Sequence, residues 1–256
     1  MYKGFREVTE EELAAIQEGN LRIEPNEYIK FGDEAFRYDG QKIIPLKYSK
    51  IKDFKPKNVE QKMLFDLLDN NNIPVKFAVG IAGSGKTRAA ITYGLEKVKA
   101  GEFQRLFIVK QPAPASEHEL GYLKGTKEDK MRSWMGSVFD NLQGGEMEAE
   151  YMIQRGQLEF DVVAYMLGRD LQSSFIIVDE AQLLTKNQVK LLGSRVSQGS
   201  VIVFCGDYEQ IFNKKYEKDN GLIAGVDLLK DSGLTGAVTL TQSVRSKVAE
   251  LFAKRL

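Results

Sequence analysis

Gly80-Ile81-Ala82-Gly83-Ser84-Gly85-Lys86-Thr87 decides the fold. The stretch matches G-x-x-x-x-G-K-[ST] in full. Val75-Lys76-Phe77-Ala78-Val79 precedes it with the texture of a strand, and Arg88 to Lys99 follows with amphipathic helical spacing. In that setting the glycines let backbone N–H groups turn inward toward phosphate oxygens, and the helix N-terminus adds positive potential. Lys86 is then the residue that reaches the β- and γ-phosphates, and the Thr87 hydroxyl holds Mg²⁺. Gly80, Ile81, Ala82, Gly83, Ser84, Gly85 and the following Arg88 complete the expected nucleotide contacts. ATP with Mg²⁺ is the expected ligand.

Downstream, apolar runs alternate with helical patterns. Strands are expected at 75–79, 105–109, 175–179, 201–205 and 237–241, with a further one at Leu158–Val162. Helices are expected at 58–69, 86–99, 127–142, 185–196, 222–230 and 246–255. Runs such as Phe175-Ile176-Ile177-Val178 and Val201-Ile202-Val203-Phe204 are apolar throughout. Strands of that kind are buried on both faces, so the expected fold is α/β, a parallel sheet with helices on both sides.

The run ending at Val178 continues into Asp179-Glu180. A strand there places Asp179 at its carboxyl edge, where open α/β sheets bind ligands. Asp179 is the candidate Mg²⁺ holder and Glu180 the candidate that polarises the attacking water. Val201–Cys205 runs into Gly206-Asp207-Tyr208-Glu209-Gln210. If that strand lies between the P-loop strand and the Asp-Glu strand, Gln210 can report the γ-phosphate. Arg245, after the last strand, is a candidate for neutralising phosphoryl charge, from within the chain or from a neighbour. Gln61 has two readings. One is adenine recognition through an amide that donates and accepts; the other is a capping position paired with Asn58. Cys205 reads as a small buried core residue.

Residues 1–57 have a different texture. Thr9-Glu10-Glu11-Glu12 fits a capping box and predicts a short helix ending at Gly19-Asn20. Leu21–Glu24, Glu27–Phe31, Ala35–Tyr38 and Lys42–Leu46 read as a small β-meander. The lysines between 42 and 57 fit a solvated linker or a phosphate-backbone contact. The expected organisation is an α+β appendage over 1–57 and the P-loop unit over 58–256.

Composition bounds the function. Lys plus Arg number 36 against 36 Asp plus Glu, so the chain lacks the basic excess of a constitutive nucleic-acid binder. A local patch remains compatible with transient binding. Cys205 and His118 are the only residues of their types, which excludes a disulfide framework, a thiolate cluster and a His-rich metal site. No apolar run approaches the ~20 residues of a membrane helix, and Met1-Tyr2-Lys3-Gly4-Phe5 lacks signal-peptide character. A cytoplasmic protein without membrane partners is expected.

Together, the P-loop, Asp179-Glu180-Ala181-Gln182 and Gly206-Asp207-Tyr208-Glu209-Gln210 resemble the first three ATPase motifs of superfamily 1 helicases. The closer resemblance is to the PhoH-like family of P-loop ATPases. It is carried further by Leu120-Gly121-Tyr122-Leu123-Lys124-Gly125, Ala164-Tyr165-Met166-Leu167-Gly168-Arg169 and Val244-Arg245, and covers residues 58–256. It implies a RecA-like core, ATP hydrolysis, and a homo-oligomer, possibly a hexameric ring, with ATP sites at subunit interfaces. RNA or single-stranded DNA is an expected partner: the loops at the carboxyl ends of the strands, Gln111–Thr126 and Tyr165–Arg169, offer Tyr122, Lys124, Tyr165 and Arg169, an aromatic and basic mix suited to single strands, unless the tyrosines pack and the bases are merely solvated. The alternative is an ATP-driven switch acting on a protein. A small-molecule kinase fits less well, because Glu180 and Gln210 suit water activation. The chain departs from the family at Lys110-Gln111-Pro112, where Thr-Arg-Pro is usual, and at Val244, where many superfamily 1 helicases carry an aromatic. Neither a PIN nuclease domain nor a second RecA-like domain is expected.

Overall fold

Parallel strands carry the nucleotide motifs to one edge of a six-stranded sheet. The computed structural model of the chain describes residues 1–111, 135–136, 138–208, 210–211 and 219–244. The sheet is built from β5 (Val75–Gly80), β6 (Arg105–Lys110), β7 (Leu158–Val162), β8 (Ser174–Asp179), β9 (Val201–Gly206) and β10 (Thr235–Leu240). Its order is β10-β5-β9-β8-β6-β7, and every pairing is parallel. β9 lies between β5 and β8, as the reading of Gln210 required, and the order is that of a RecA-like core.

The all-apolar strands divide their side chains between two cores. Phe175, Ile177, Val203 and Val238 face Met63, Leu64, Ala90 and Leu95 from α2 (Val59–Asp69) and α3 (Lys86–Lys99). Ile176, Val178, Ile202 and Phe204 face the opposite way, toward Leu192 of α5 (Lys186–Gly193) and Leu222 and Val226 of α6 (Gly221–Leu229). The helix α4 (Gly145–Gln154) adds Ala149 and Met152 to the first core. Alternate residues of one strand thus bury on opposite faces. Among the described residues no helix is long and apolar enough to cross a membrane.

Helix boundaries follow their caps. Thr185 and Gln188 form a reciprocal capping box that starts α5, and the Asn220 side chain accepts from the Ile223 N–H to start α6. β10 begins earlier than the expected 237. Thr235 and Gly236 already pair with Val75 and Lys76, and Thr241 leaves the ladder to donate its N–H to Glu60 Oε2 at 2.7 Å. The expected helix at 246–255 and most of that at 127–142 lie outside the described residues.

The N-terminal sheet differs from the expected meander. α1 (Glu10–Gln17) has the predicted capping box, with Thr9 and Glu12 bonded reciprocally. β2 (Tyr28–Phe31), β3 (Glu34–Tyr38) and β4 (Ile43–Pro45) form antiparallel pairs, but Leu21–Glu24 is not a strand. Its place beside β2 is taken by β1 (Phe5–Glu7), which runs parallel to β2. The cause is Glu27, whose carboxylate receives both Arg6 Nε at 2.6 Å and the Glu24 N–H at 2.9 Å. It holds β1 in register and turns residue 24 away from the ladder.

This small sheet is joined to the large one by buried polar contacts. Asp66 of α2 accepts from Tyr28 Oη at 2.9 Å, Arg37 Nε at 2.8 Å and the Lys47 N–H at 2.7 Å. The Asn26 side-chain amide donates to the carbonyls of Gly233 and Thr235, and the Thr239 N–H donates to the Lys3 carbonyl. Asp66 and Arg37 are both buried. Asp66→Ala would strand the Arg37 guanidinium without a counter-charge, so a loss of about 3–5 kcal/mol of unfolding free energy is expected. Urea denaturation measures it. A loss below about 1 kcal/mol would mean that the cluster contributes little to holding the sheets together.

Candidate nucleotide site

The P-loop leaves β5 against β10. A Cβ on Gly80 would stand 2.5 Å from the Leu240 carbonyl oxygen, so any other residue would force the strands apart. Gly85, at φ 90°, turns the chain into α3 from the left-handed region, which only glycine adopts at little cost. It gives α3 no side-chain cap. The first-turn N–H groups are therefore available to an anion.

Lys86 and Thr87 open that helix inside the cleft. Among the described residues the Lys86 ammonium makes one long hydrogen bond, 3.4 Å to the Ile81 carbonyl. Thr87 Oγ1 donates to Asp179 Oδ1 at 2.9 Å, across 92 residues of sequence. This contact unites the two motifs that sequence reading assigned to a metal ion. Asp179 Oδ2 meets Lys110 Nζ at 3.0 Å. Asp179 itself is only 7% exposed.

Glu180 sits in the left-handed region at φ 56° and is exposed. A non-glycine residue held there costs of order 1–3 kcal/mol and persists only where its surroundings fix it. Here Gln182 does so: its Nε2 donates to Glu180 Oε2 at 2.7 Å, and its Oε1 accepts the Asp207 N–H at 3.1 Å. The buried Gln182 amide thereby ties the end of β8 to the turn after β9, where the Gln210 N–H donates to the Asp207 carbonyl.

Ala82, Gly83, Gly85, Lys86, Thr87, Arg88, Asp179, Glu180 and Gln210 line one cleft of about 280 Å³. Gly80, the last residue of β5, and Ile81 are not among the residues that line it, and Ser84 is fully buried. Arg88 is exposed, with its guanidinium 5.7 Å from the centre of the Phe54 ring. Cys205 lies at the floor, fully buried, and burial pushes its thiol well above the ordinary range.

Gln61 stands behind the loop rather than in the cleft lining. Its N–H donates to Asn58 Oδ1, its Oε1 accepts the Lys57 N–H at 2.8 Å, and its Nε2 donates to the Ser84 carbonyl at 2.9 Å. The amide's Nε2 thus ties the P-loop to α2, while its Oε1 holds the chain just ahead of that helix. Arg245 lies outside the described residues. Val244 donates its N–H to the Gly83 carbonyl of the P-loop at 3.0 Å.

Of the side chains expected to meet a nucleic acid, Tyr122 and Lys124 lie outside the described residues. Tyr165 is 60% exposed. Arg169 is engaged within the fold, with Glu159 at 2.6 Å, Asp161 at 3.1 Å and the Phe107 ring 4.8 Å away. Lys110, Gln182 and Asp207 are site residues to which the sequence alone assigned no role. Gln182 and Asp207 fall inside recognised motifs. Lys110 could have been found from its position at the end of a buried strand.

The site suits a polyphosphate with a divalent ion. Its donors to a metal are a hydroxyl and a carboxylate, hard oxygens that magnesium favours alongside phosphate oxygens. An uncapped helix terminus and a weakly bonded ammonium offer the matching positive charge. Among the described residues no group of three or more His, Cys, Asp or Glu could hold a metal unaided.

Similarity to known proteins extends over most of the chain. The profile of the PhoH-like protein family matches residues 53–255. Protein PhoH2 of Bacillus subtilis (strain 168) is 37% identical over 211 residues, covering 79% of this chain and 47% of that protein. Protein PhoH2 of Mycolicibacterium smegmatis is 36% identical over 203 residues, covering 78% and 46%. A PhoH-like protein of Mycobacterium tuberculosis (strain H37Rv) is 32% identical over 212 residues, covering 79% and 59%. The chain spans about half the length of the curated relatives it matches.

Proposed function

Because the chain belongs to the PhoH-like protein family, we propose that it is a Mg²⁺-dependent ATP hydrolase coupled to single-stranded RNA or DNA, of the kind that drives a translocase or helicase. The observation that carries the reading is the 2.9 Å contact between Thr87 Oγ1 and Asp179 Oδ1, with Lys86 and Glu180 in the same cleft.

In this mechanism the N–H groups of the P-loop and of the first turn of α3 cradle the phosphates. Lys86 places its ammonium on the β- and γ-phosphate oxygens, where charge grows as the terminal bond breaks. Thr87 and Asp179 would hold Mg²⁺, which when bound neutralises phosphate charge. Glu180 accepts a proton from the attacking water on its carboxylate while Gln182 fixes the carboxylate's other oxygen. Gln210 follows the presence of the γ-phosphate from the turn after β9. Arg245, from this chain or its neighbour, adds positive charge, which fits a homo-oligomer with sites between subunits. ATP and water become ADP and phosphate.

Steady-state turnover, with Mg²⁺ or with excess chelator and with or without single-stranded RNA or DNA, tests the proposal, alongside molar mass by light scattering. Mg²⁺-dependent turnover raised several-fold by a polymer, in a particle of several subunits, is the expected result. One observation favours a second reading, a switch acting on a protein: Arg169 is already engaged by Glu159 and Asp161. Turnover that no polymer stimulates would select that reading. Full activity in a dilute monomer would remove the shared site.

A further inference from the structure

We propose that Lys110 is a resident cation on Asp179 that makes uptake of the divalent ion conditional on the nucleotide. The inference rests on the assignment of Asp179 and Thr87 as metal holders. It starts from the register of β6 and β8, which sets Lys110 directly beside Asp179 at the carboxyl ends of adjacent strands. Backbone pairing delivers the ammonium to the carboxylate. One oxygen takes the Thr87 hydroxyl at 2.9 Å and the other takes Lys110 Nζ at 3.0 Å. The pair is sheltered, with 21% of the Lys110 side chain and 9% of the Asp179 side chain exposed. Charges in such a place interact more strongly than on an open surface.

This pairing solves a problem for the empty protein. A nearly buried carboxylate without a counter-ion is costly, and Lys110 supplies that counter-ion before any metal arrives. It also creates a competitor. A divalent ion approaching Asp179 alone meets a carboxylate that is already neutralised and a positive charge beside it. A nucleotide changes the balance, because its phosphates bring several negative charges into the cleft and outweigh one ammonium. Metal then enters with nucleotide rather than ahead of it. Lys110 is thus a positioning residue, acting on the metal through Asp179.

The test titrates MgCl₂ against the folded protein and reads thermal melting, first without nucleotide and then with ADP. For the wild-type chain, Mg²⁺ alone is expected to leave the melting temperature unchanged at millimolar concentration, and Mg²⁺ with ADP to raise it. Lys110→Met should melt lower without metal and be rescued by Mg²⁺ alone at millimolar concentrations that leave the wild type unchanged. Lys110→Arg, which keeps the charge, should behave as wild type. Lys110→Thr provides the same comparison if the methionine variant fails to fold. An unchanged Mg²⁺ titration in the neutral variants would overturn the proposal while leaving the metal site intact. Asp179→Asn separates the two cases: if it too leaves the Mg²⁺ dependence of ADP binding unchanged, the metal assignment falls, and the proposal with it.

Discussion

Lys86→Ala is expected to lower ATP turnover by about 10³-fold or more and to weaken nucleotide binding, while the melting temperature stays close to wild type. The size follows from the loss of a preorganised positive group aimed at charge that develops in the transition state. The small effect on folding follows from its contacts: the ammonium holds only a 3.4 Å hydrogen bond to Ile81 among the described residues. Arg88 lines the same cleft but is directed to the Phe54 ring, so it does not replace the missing charge. Turnover at saturating ATP, with the affinity of a fluorescent nucleotide measured in parallel, reads both effects. Activity within about tenfold of wild type would mean that Lys86 does not touch the transferring phosphoryl group.

Glu180→Gln should separate binding from chemistry. The amide can neither carry the negative charge nor take a proton from water at neutral pH, and loss of a positioned base costs about 10²–10⁴ in rate. It can still accept the hydrogen bond from Gln182 Nε2 through its carbonyl oxygen. The left-handed backbone at φ 56° is no harder for glutamine than for glutamate. Geometry and nucleotide affinity are therefore expected to persist while turnover stalls. Near-normal turnover in this variant would exclude Glu180 as the group that activates water.

Much of this was legible because it is written locally. The helix expected at 86–99 runs from Lys86 to Lys99, and the buried strands announce themselves as unbroken apolar runs. The P-loop and the Asp-Glu pair are contiguous motifs whose chemistry follows from spacing. What escaped depends on register between distant segments. β1 is three residues long, too short to show a period, and it exists because Arg6 finds Glu27. Lys76 lies in a central strand yet is fully buried, with its ammonium donating to the Asn70 carbonyl and burial holding its pKa well below the ordinary range. Nothing in its neighbours along the chain reveals that. Lys110 and Gln182 are of the same kind, since their partners are set by strand pairing and by a turn. Gln61 shows the opposite case. Its spacing from Asn58 left a capping reading beside the adenine one, and the Asn58 side chain does accept the Gln61 N–H, but the amide's grip on Ser84 is a tertiary fact.

The insertion of β9 has a consequence for how this protein comes into being. β5 and β8 are not neighbours in the sheet; β9 lies between them and pairs with both. A growing chain that has passed residue 180 already contains Lys86, Thr87, Asp179 and Glu180, but the strand that pairs with both β5 and β8 is not yet made. The wedge arrives with Val201–Gly206 and brings Asp207, which engages Gln182. Synthesis thus completes the motifs well before it completes the site. The P-loop strand and the Asp-Glu strand gain their shared hydrogen-bonding partner only once Val201–Gly206 has been made.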